Sequence, residues 1–116
     1  MNVQWNKFEE PKPYVGVLGF AFDIKGRFPI LHRSDKVRSA KNAWSFISGL
    51  HECGRTLFEQ FSEEAREECN ITTSVVGEKI GYFEAIIKEE NWHWVMCMVA
   101  CPCPNFNNFK NMEPQY

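Results

Sequence analysis

Three glutamates near the middle of the chain have the spacing of residues that bind a divalent cation. Glu67 and Glu68 follow Glu64 by three and four residues, so on a helix the three side chains lie within about 100° of one another. Like charges at these separations repel, at a cost of roughly a few tenths of a kcal/mol per pair. A divalent cation held by the carboxylate oxygens would offset this repulsion. The spacing is therefore compatible with a metal site, but from the helix alone a solvated, glutamate-rich face is the favoured interpretation, because runs of charge usually face solvent.

The helix that would carry these glutamates is indicated by an apolar stripe. Five residues fall within an arc of about 120° on the helical wheel, as in a helix packed on a sheet: Leu57, Phe58, Phe61, Ala65 and Cys69. Glu68 falls inside this arc, where a carboxylate is costly unless something neutralises it. On the far side, Glu59, Glu63 and Arg66 are predicted to face solvent.

Five apolar segments are predicted to form β-strands around this helix. They span residues 14–22, 28–33, 44–47, 79–87 and 92–100. The turn sequence DIKG after the first segment predicts a hairpin with the second, and residues 88–91 predict another hairpin between the last two. Loops are predicted at residues 34–42, between Gly49 and Gly54, and over the tail at 102–116.

The composition is that of a globular protein. Of the 116 residues, 44% are apolar and 24% are charged, and no repeat or linker interrupts them, so residues 1–116 are expected to form one domain. No apolar run approaches the roughly 18 residues of a membrane span, so no membrane partner is expected. The net charge of −2 comes from interspersed charges, which argues against DNA as a partner.

Five cysteines, an odd number, indicate free thiols rather than a disulfide framework. The N-terminal sequence MNVQWNKFEEPKP has acidic residues and prolines where a signal peptide has a basic segment and an apolar run. We therefore expect a cytoplasmic protein. Cys97, Cys101 and Cys103 are the most closely spaced, but they lack the paired C-x-x-C spacing of a zinc site and are predicted to be small buried apolar residues.

Residues 49–71, GLHECGRTLFEQFSEEAREECNI, resemble the Nudix box of the Nudix hydrolases, G-x5-E-x7-R-E-U-x-E-E-x-G-U, in which U is a bulky apolar residue. Gly49 matches the first glycine and Ile71 the last apolar position. The three glutamates of the predicted metal site match the three glutamates in the second half of the box. WSFIS at residues 44–48 is similar to the W-x-x-P-G segment before the box, and the order of hairpin, loop, box and second hairpin is also that of the family.

Three positions depart from the box pattern. Arg55 stands in place of the first glutamate, Glu63 in place of the arginine and Asn70 in place of the second glycine. Asparagine is the next-best residue for the left-handed conformation at a helix C-terminus, so the last change is mild. The charges of Arg55 and Glu63 are exchanged relative to the family, so we expect these two side chains to pair and brace the loop against the helix.

The resemblance implies a Nudix fold, an α/β/α sandwich around a mixed β-sheet, with the C-terminal strand and helix of the family missing from this chain. It implies hydrolysis of the pyrophosphate bond of a nucleoside triphosphate or a nucleoside diphosphate derivative, with Mg²⁺ or Mn²⁺ as cofactor. Glu64, Glu67 and Glu68 would be the metal ligands, one of them serving instead as the base. A backbone carbonyl around Ser48 or Gly49 would add a ligand.

Further site residues follow from the resemblance. A carboxylate from a later loop would complete the metal site, with Glu113 as the first candidate and Glu84 as the second. Arg33, at the end of the second predicted strand, would contact a substrate phosphate, although an arginine there can also be a solvated edge residue. The ending MEPQY is similar to a segment of the branch that cleaves nucleoside triphosphates.

Aromatic residues in two predicted strands are candidates to stack on a nucleobase. They are Trp92 and Trp94, or Phe20 and Phe22. Alternating aromatics in a strand also serve as core residues, which is the other interpretation.

Other functions remain open from the residues alone. Arg55 and Glu63 are also compatible with a degenerate Nudix module that binds a nucleotide or a protein without turnover, and a small interaction domain with an accidental box match is a third interpretation. Without the C-terminal elements of the family, one face of the sheet would be uncovered, so we expect a homodimer that covers it.

Overall fold

One α-helix and two β-sheets make up the part of the chain that the computed structural model describes, residues 13–32 and 44–110. In chain order the elements are β1 (Tyr14–Phe22), β2 (Leu31–His32), β3 (Trp44–Ser45), β4 (Ile47–Leu50), α1 (Leu57–Cys69), β5 (Glu78–Ile87) and β6 (Trp92–Pro102). A short 3₁₀ turn at Lys88–Glu90 joins β5 to β6.

The main sheet has four strands in the order β4-β1-β6-β5. β1 is parallel to β6 and antiparallel to β4, and β5 and β6 form an antiparallel hairpin. The predicted mixed sheet and the predicted second hairpin are therefore confirmed. β2 and β3 pair separately as a small antiparallel sheet.

The predicted first hairpin is wrong. The turn itself forms, because the N–H of Gly26 donates to the carbonyl of Asp23 at 2.9 Å. However, both edges of β1 are occupied by β4 and β6, and Pro29 has no N–H to donate to a ladder. The predicted strand at 28–33 is accordingly reduced to Leu31–His32, paired with β3; residue 33 lies outside the described residues.

The predicted strand at 44–47 divides at Phe46 into β3 and β4. Gly49, expected at the start of a loop, lies within β4 and is opposite Val17 in β1. The loop before the helix is correspondingly shorter than predicted, since it begins after Leu50.

Side-chain and backbone caps define both ends of α1. The Thr56 hydroxyl accepts from the backbone N–H of Glu59 at 3.1 Å, and the Glu59 carboxylate accepts from the N–H of Thr56 at 2.9 Å, which is a capping box. At the other end, Asn70 has φ 56° and ψ 41°. This is the left-handed conformation predicted for it, and its N–H donates to the carbonyl of Arg66 at 3.0 Å.

The apolar stripe of α1 packs on one face of the main sheet. Phe61, Ala65 and Cys69 are fully buried there, together with Val17 of β1 and Ile47 of β4. The same packing brings Glu64 and Glu68 against β4. Within the described residues no α-helix covers the opposite face of the sheet, and none is long and apolar enough to cross a lipid bilayer.

The cysteines are free thiols, as predicted. Cys69, Cys101 and Cys103 lie in the core, and Cys97 is half-buried. Burial raises the pKa of Cys69 to about 12 and that of Cys101 to about 11, so both thiols stay protonated at neutral pH. They therefore act as small apolar residues in the core.

Candidate functional site

Glu68 reaches the backbone of β4 from the buried side of α1. The residue is 5% exposed, and its Oε2 accepts a hydrogen bond from the backbone N–H of Ser48 at 3.3 Å. A polar partner is what a carboxylate inside the apolar arc requires. The box helix and β4 are thus joined at this residue.

Glu64 lies one turn earlier and packs on the next residue of β4. A Cβ added to Gly49 would overlap the Glu64 carboxylate, so this position must be glycine if the carboxylate is to stay where it is. Burial is the main reason that the pKa of Glu64 is raised to about 7, and the negative charge of Glu67 contributes in the same direction. A hydrogen bond from Gln60 partly opposes this rise. A carboxylate in these surroundings is neutral in part at pH 7, and a cation beside it would restore its charge.

Glu67 lies at the rim of this arrangement. Its side chain is 47% exposed, and one carboxylate oxygen is 3.8 Å from Nη2 of Arg66. It is close enough for its charge to act on Glu64. The structure therefore brings Glu64 and Glu68 against β4 and keeps Glu67 nearer to solvent.

The donors present are of the type that Mg²⁺ and Mn²⁺ prefer. In residues 13–32 and 44–110, no three His, Cys, Asp or Glu side chains are grouped so that they could hold a metal ion by themselves. Magnesium is usually bound by one or two carboxylates, with water and substrate phosphate completing the coordination. Glu64 and Glu68, beside the backbone of β4, fit that mode of binding.

Of the other residues expected to complete the site, the structure describes only Glu84. Arg33, Glu113 and the MEPQY segment lie outside the described residues. Glu84 is on β5, where its Oε2 is 3.2 Å from Nε2 of His93. The carboxylates whose charge raises the pKa of Glu64 come from α1 and the loop before it, and Glu84 is not among them.

Arg55 and Glu63 do not form the predicted ion pair, although the positive charge of Arg55 is near enough to help lower the pKa of Glu63. Glu63 pairs with Arg66, three residues along the same helix, and Arg55 lies 4.0 Å from Glu52 in its own loop. Glu63 and Arg66 lie on the same helix, so pairing them does not require the loop to be ordered. Their pairing therefore costs less conformational entropy than a pair between Glu63 and Arg55 would.

The loop is instead held by hydrogen bonds. Nε2 of His51 is 2.6 Å from the carbonyl oxygen of Arg55, and the N–H of His51 donates to the carbonyl of Val15 at 2.9 Å. His51, which the sequence left without a role, closes the loop onto itself and onto β1.

The candidate stacking residues differ in how they are packed. Phe20 is half-buried and makes edge-to-face contacts with Phe28 and Phe46, at centroid distances of 4.9 and 4.7 Å. Trp94 lies beside Tyr14 with the ring centroids 5.1 Å apart. The indole N–H of Trp94 is buried and has no hydrogen-bond partner in the described part of the chain.

Two residues near the glutamates were not found from the sequence. Glu52, in the loop, adds negative charge at Glu64. Gln60 is almost fully buried and bonds to both the loop and Glu64. Its position four residues before Glu64 was the available signal, because residues at that spacing meet on a helix.

Comparison with known proteins finds similarity in structure only. No family model and no curated protein sequence matches the chain. The MutT protein from Methanosarcina mazei Go1 has a TM-score of 0.72 at 22% identity, over 89% of this chain and 72% of that protein.

Two further solved structures give the same result. The MutT NUDIX hydrolase from Burkholderia pseudomallei has a TM-score of 0.75 at 18% identity, over 90% of this chain and 77% of that one. The NUDIX hydrolase from Nitrosomonas europaea has a TM-score of 0.70 at 13% identity, over 90% of this chain and 68% of that one. The chain has a MutT-like Nudix fold, as predicted.

Proposed function

We propose that this protein is a divalent-cation-dependent Nudix hydrolase that cleaves the pyrophosphate bond of a nucleoside triphosphate or a nucleoside diphosphate derivative. The observation that carries the proposal is the meeting of Glu64 and Glu68 with the backbone of β4 at Ser48 and Gly49. A fold alone does not define an activity. Two partly desolvated carboxylates beside the backbone of β4 would suit a hard cation, which is what the proposed hydrolysis requires.

Each glutamate has a distinct task in the proposed reaction. Glu64 and Glu68 would hold Mg²⁺ or Mn²⁺ at the helix–strand junction, and the more exposed Glu67 would hold it from the solvent side or accept the proton of the attacking water. When bound, the cation neutralises phosphate oxygens and makes a water more acidic. Ser48 keeps the Glu68 carboxylate oriented through its backbone N–H, 3.3 Å away.

The nucleoside part of the substrate would be recognised outside the box. Trp94 and Tyr14, whose ring centroids are 5.1 Å apart, offer an aromatic surface on which a base would stack. Arg33 is proposed to contact phosphate. The free thiols support a reducing compartment, and we propose the cytoplasm.

The test is a hydrolysis screen over nucleoside triphosphates, ADP-ribose, dinucleoside polyphosphates and NADH, with product separation by chromatography. We expect turnover with Mg²⁺ or Mn²⁺ and none after EDTA. Glu68→Gln should abolish turnover because it removes a ligand and its charge, a loss of roughly 100-fold or more. Glu78→Gln, an exposed residue on β5, should retain the wild-type rate.

Two results would overturn the proposal. Turnover that persists in EDTA would exclude the cation. Nucleotide binding by calorimetry without hydrolysis of any compound in the screen would favour the degenerate module instead.

A further inference from the structure

Gln60 is a polar side chain in a place where the fold otherwise buries apolar groups. It is 1% exposed and ranks among the largest fully buried side chains, beside Phe61 and Ile47. Burying an amide without hydrogen bonds is costly. The chain keeps a glutamine here because both ends of its amide have partners.

The two hydrogen bonds of Gln60 connect the loop to the proposed ligand. Its Oε1 accepts from the backbone N–H of Glu52 at 3.1 Å, and its Nε2 donates to Oε1 of Glu64 at 3.0 Å. The orientation of the amide follows from chemistry, since the reversed amide would face a donor with a donor and a carboxylate with an oxygen. Gln60 therefore recognises Glu64 as an acceptor and Glu52 as a donor at the same time.

The contacts of Glu64 leave it little freedom. One side of its carboxylate packs on Gly49, where no Cβ would fit. Oε1 is engaged by Gln60, and within the described residues Oε2 has no hydrogen bond. The side chain is thus held with one oxygen fixed and the other available.

We propose that Gln60 is a positioning residue for the cation, fixing the Glu64 carboxylate so that Oε2 is presented for coordination. It also ties the loop at Glu52 to the helix, which is the task that the sequence had assigned to the pair of Arg55 and Glu63. The inference rests on the proposed function, in which Glu64 binds the cation. Groups that orient a ligand in this way typically change metal affinity by about 10–100-fold when they are removed.

The experiment measures binding of Mn²⁺ alone, by electron paramagnetic resonance or calorimetry, without nucleotide. Gln60→Met keeps the length and the helix propensity of the side chain but removes both hydrogen bonds. We expect its Mn²⁺ affinity to fall by about 10–100-fold. Phe61→Leu is the matched control: it alters a neighbouring, fully buried residue of the same helix, and its Mn²⁺ affinity should equal that of the wild type even if its melting temperature is lower.

A double-mutant cycle separates positioning from general damage. If Gln60 acts through Glu64, Gln60→Met should have no further effect on Mn²⁺ affinity when Glu64→Gln is already present. An equal loss in both backgrounds would overturn the inference. If Gln60→Met does not fold, Gln60→Ala, which removes the same two hydrogen bonds, takes its place with the same expectation.

The two proposals fail in different ways. Wild-type protein that binds no Mn²⁺ would overturn the proposed function. Wild-type protein that binds Mn²⁺ in a Glu64-dependent manner, together with a Gln60→Met variant of unchanged affinity, would overturn only the role of Gln60.

Discussion

The carboxylate of Glu64 lies against the α-carbon of Gly49, in space that any side chain at that position would need. The contact joins the third turn of the helix to the middle of a strand that is antiparallel to β1. Glycine is needed at position 49 to leave room for the Glu64 carboxylate. The backbone itself does not require glycine there, because Gly49 has no positive φ.

Gly49→Ala should therefore displace Glu64. We expect weaker Mn²⁺ binding with little change in unfolding free energy, because the atoms in the way belong to the end of a flexible side chain that can shift. Gly81→Ala is the control, since a Cβ at this strand glycine would meet no atom within 4 Å. Mn²⁺ titration of both variants checks this prediction, and equal affinities would contradict it.

Thr56→Ala should weaken the start of α1, because it removes the hydroxyl that accepts from the N–H of Glu59 at 3.1 Å. The expected cost is about 1 kcal/mol. Thr72→Ala changes an exposed threonine outside the helix and should lie within about 0.5 kcal/mol of the wild type. Thermal unfolding compares the two, and equal melting temperatures would show that the cap is dispensable.

Asp23 makes the turn after β1 sensitive to acid. Burial opposes ionisation of this carboxyl, but hydrogen bonds from Arg27 and Lys25 lower its pKa below the usual 3.8. A group with a lowered pKa in the folded state stabilises the protein above its unfolded pKa, and that contribution is lost as the pH falls through the folded value.

We therefore expect Asp23→Asn to melt below the wild type at neutral pH, with the difference shrinking as the pH falls below about 4. Glu78→Gln, at an exposed position, should show no such trend. A difference between wild type and Asp23→Asn that is constant with pH would mean that the charge of Asp23 is unimportant.

The homodimer stays a prediction. The sequence placed it on an uncovered face of the sheet, and we name β5 as a further place where two copies would meet. This strand is at the edge of the main sheet, and Tyr82 and Ile86 are exposed there by 72% and 50%. An open edge with apolar side chains can pair with another strand.

Light scattering of Tyr82→Lys should then show a smaller species than the wild type. Ile24→Lys places the same charge at a turn residue that is 98% exposed and should leave the size unchanged. Wild-type protein that is a monodisperse monomer at tens of micromolar would overturn the prediction.

The parts of the fold that were predictable from the sequence are local. The helix was predictable because its apolar period and its left-handed end at Asn70 are written in consecutive residues. The β5–β6 hairpin was correct for the same reason. The partners of β1 were not predictable, since adjacent strands usually pair and here β1 pairs with strands that are distant in sequence.

In the site, too, the features that depend on consecutive helix residues were predictable, and those that depend on contacts with the loop were not. The helical wheel placed Glu68 inside the apolar arc, and the structure has it 5% exposed. The wheel does not tell which loop atoms meet the helix, so the roles of Gln60 and Glu52 were missed. Charge complementarity suggested that Arg55 pairs with Glu63, but it does not rank a distant partner against Arg66 one turn away.

The parallel pairing of β1 with β6 joins Tyr14 to Trp94, which are 80 residues apart in the sequence. Contacts of such high sequence separation slow folding, because a long loop must close before they form. During synthesis, β1 can pair with β4 as soon as β4 has emerged, but its other edge has no partner until β6 is made. The glutamates and the strand that receives them lie close together in sequence, so these parts of the proposed site can meet before the sheet is complete.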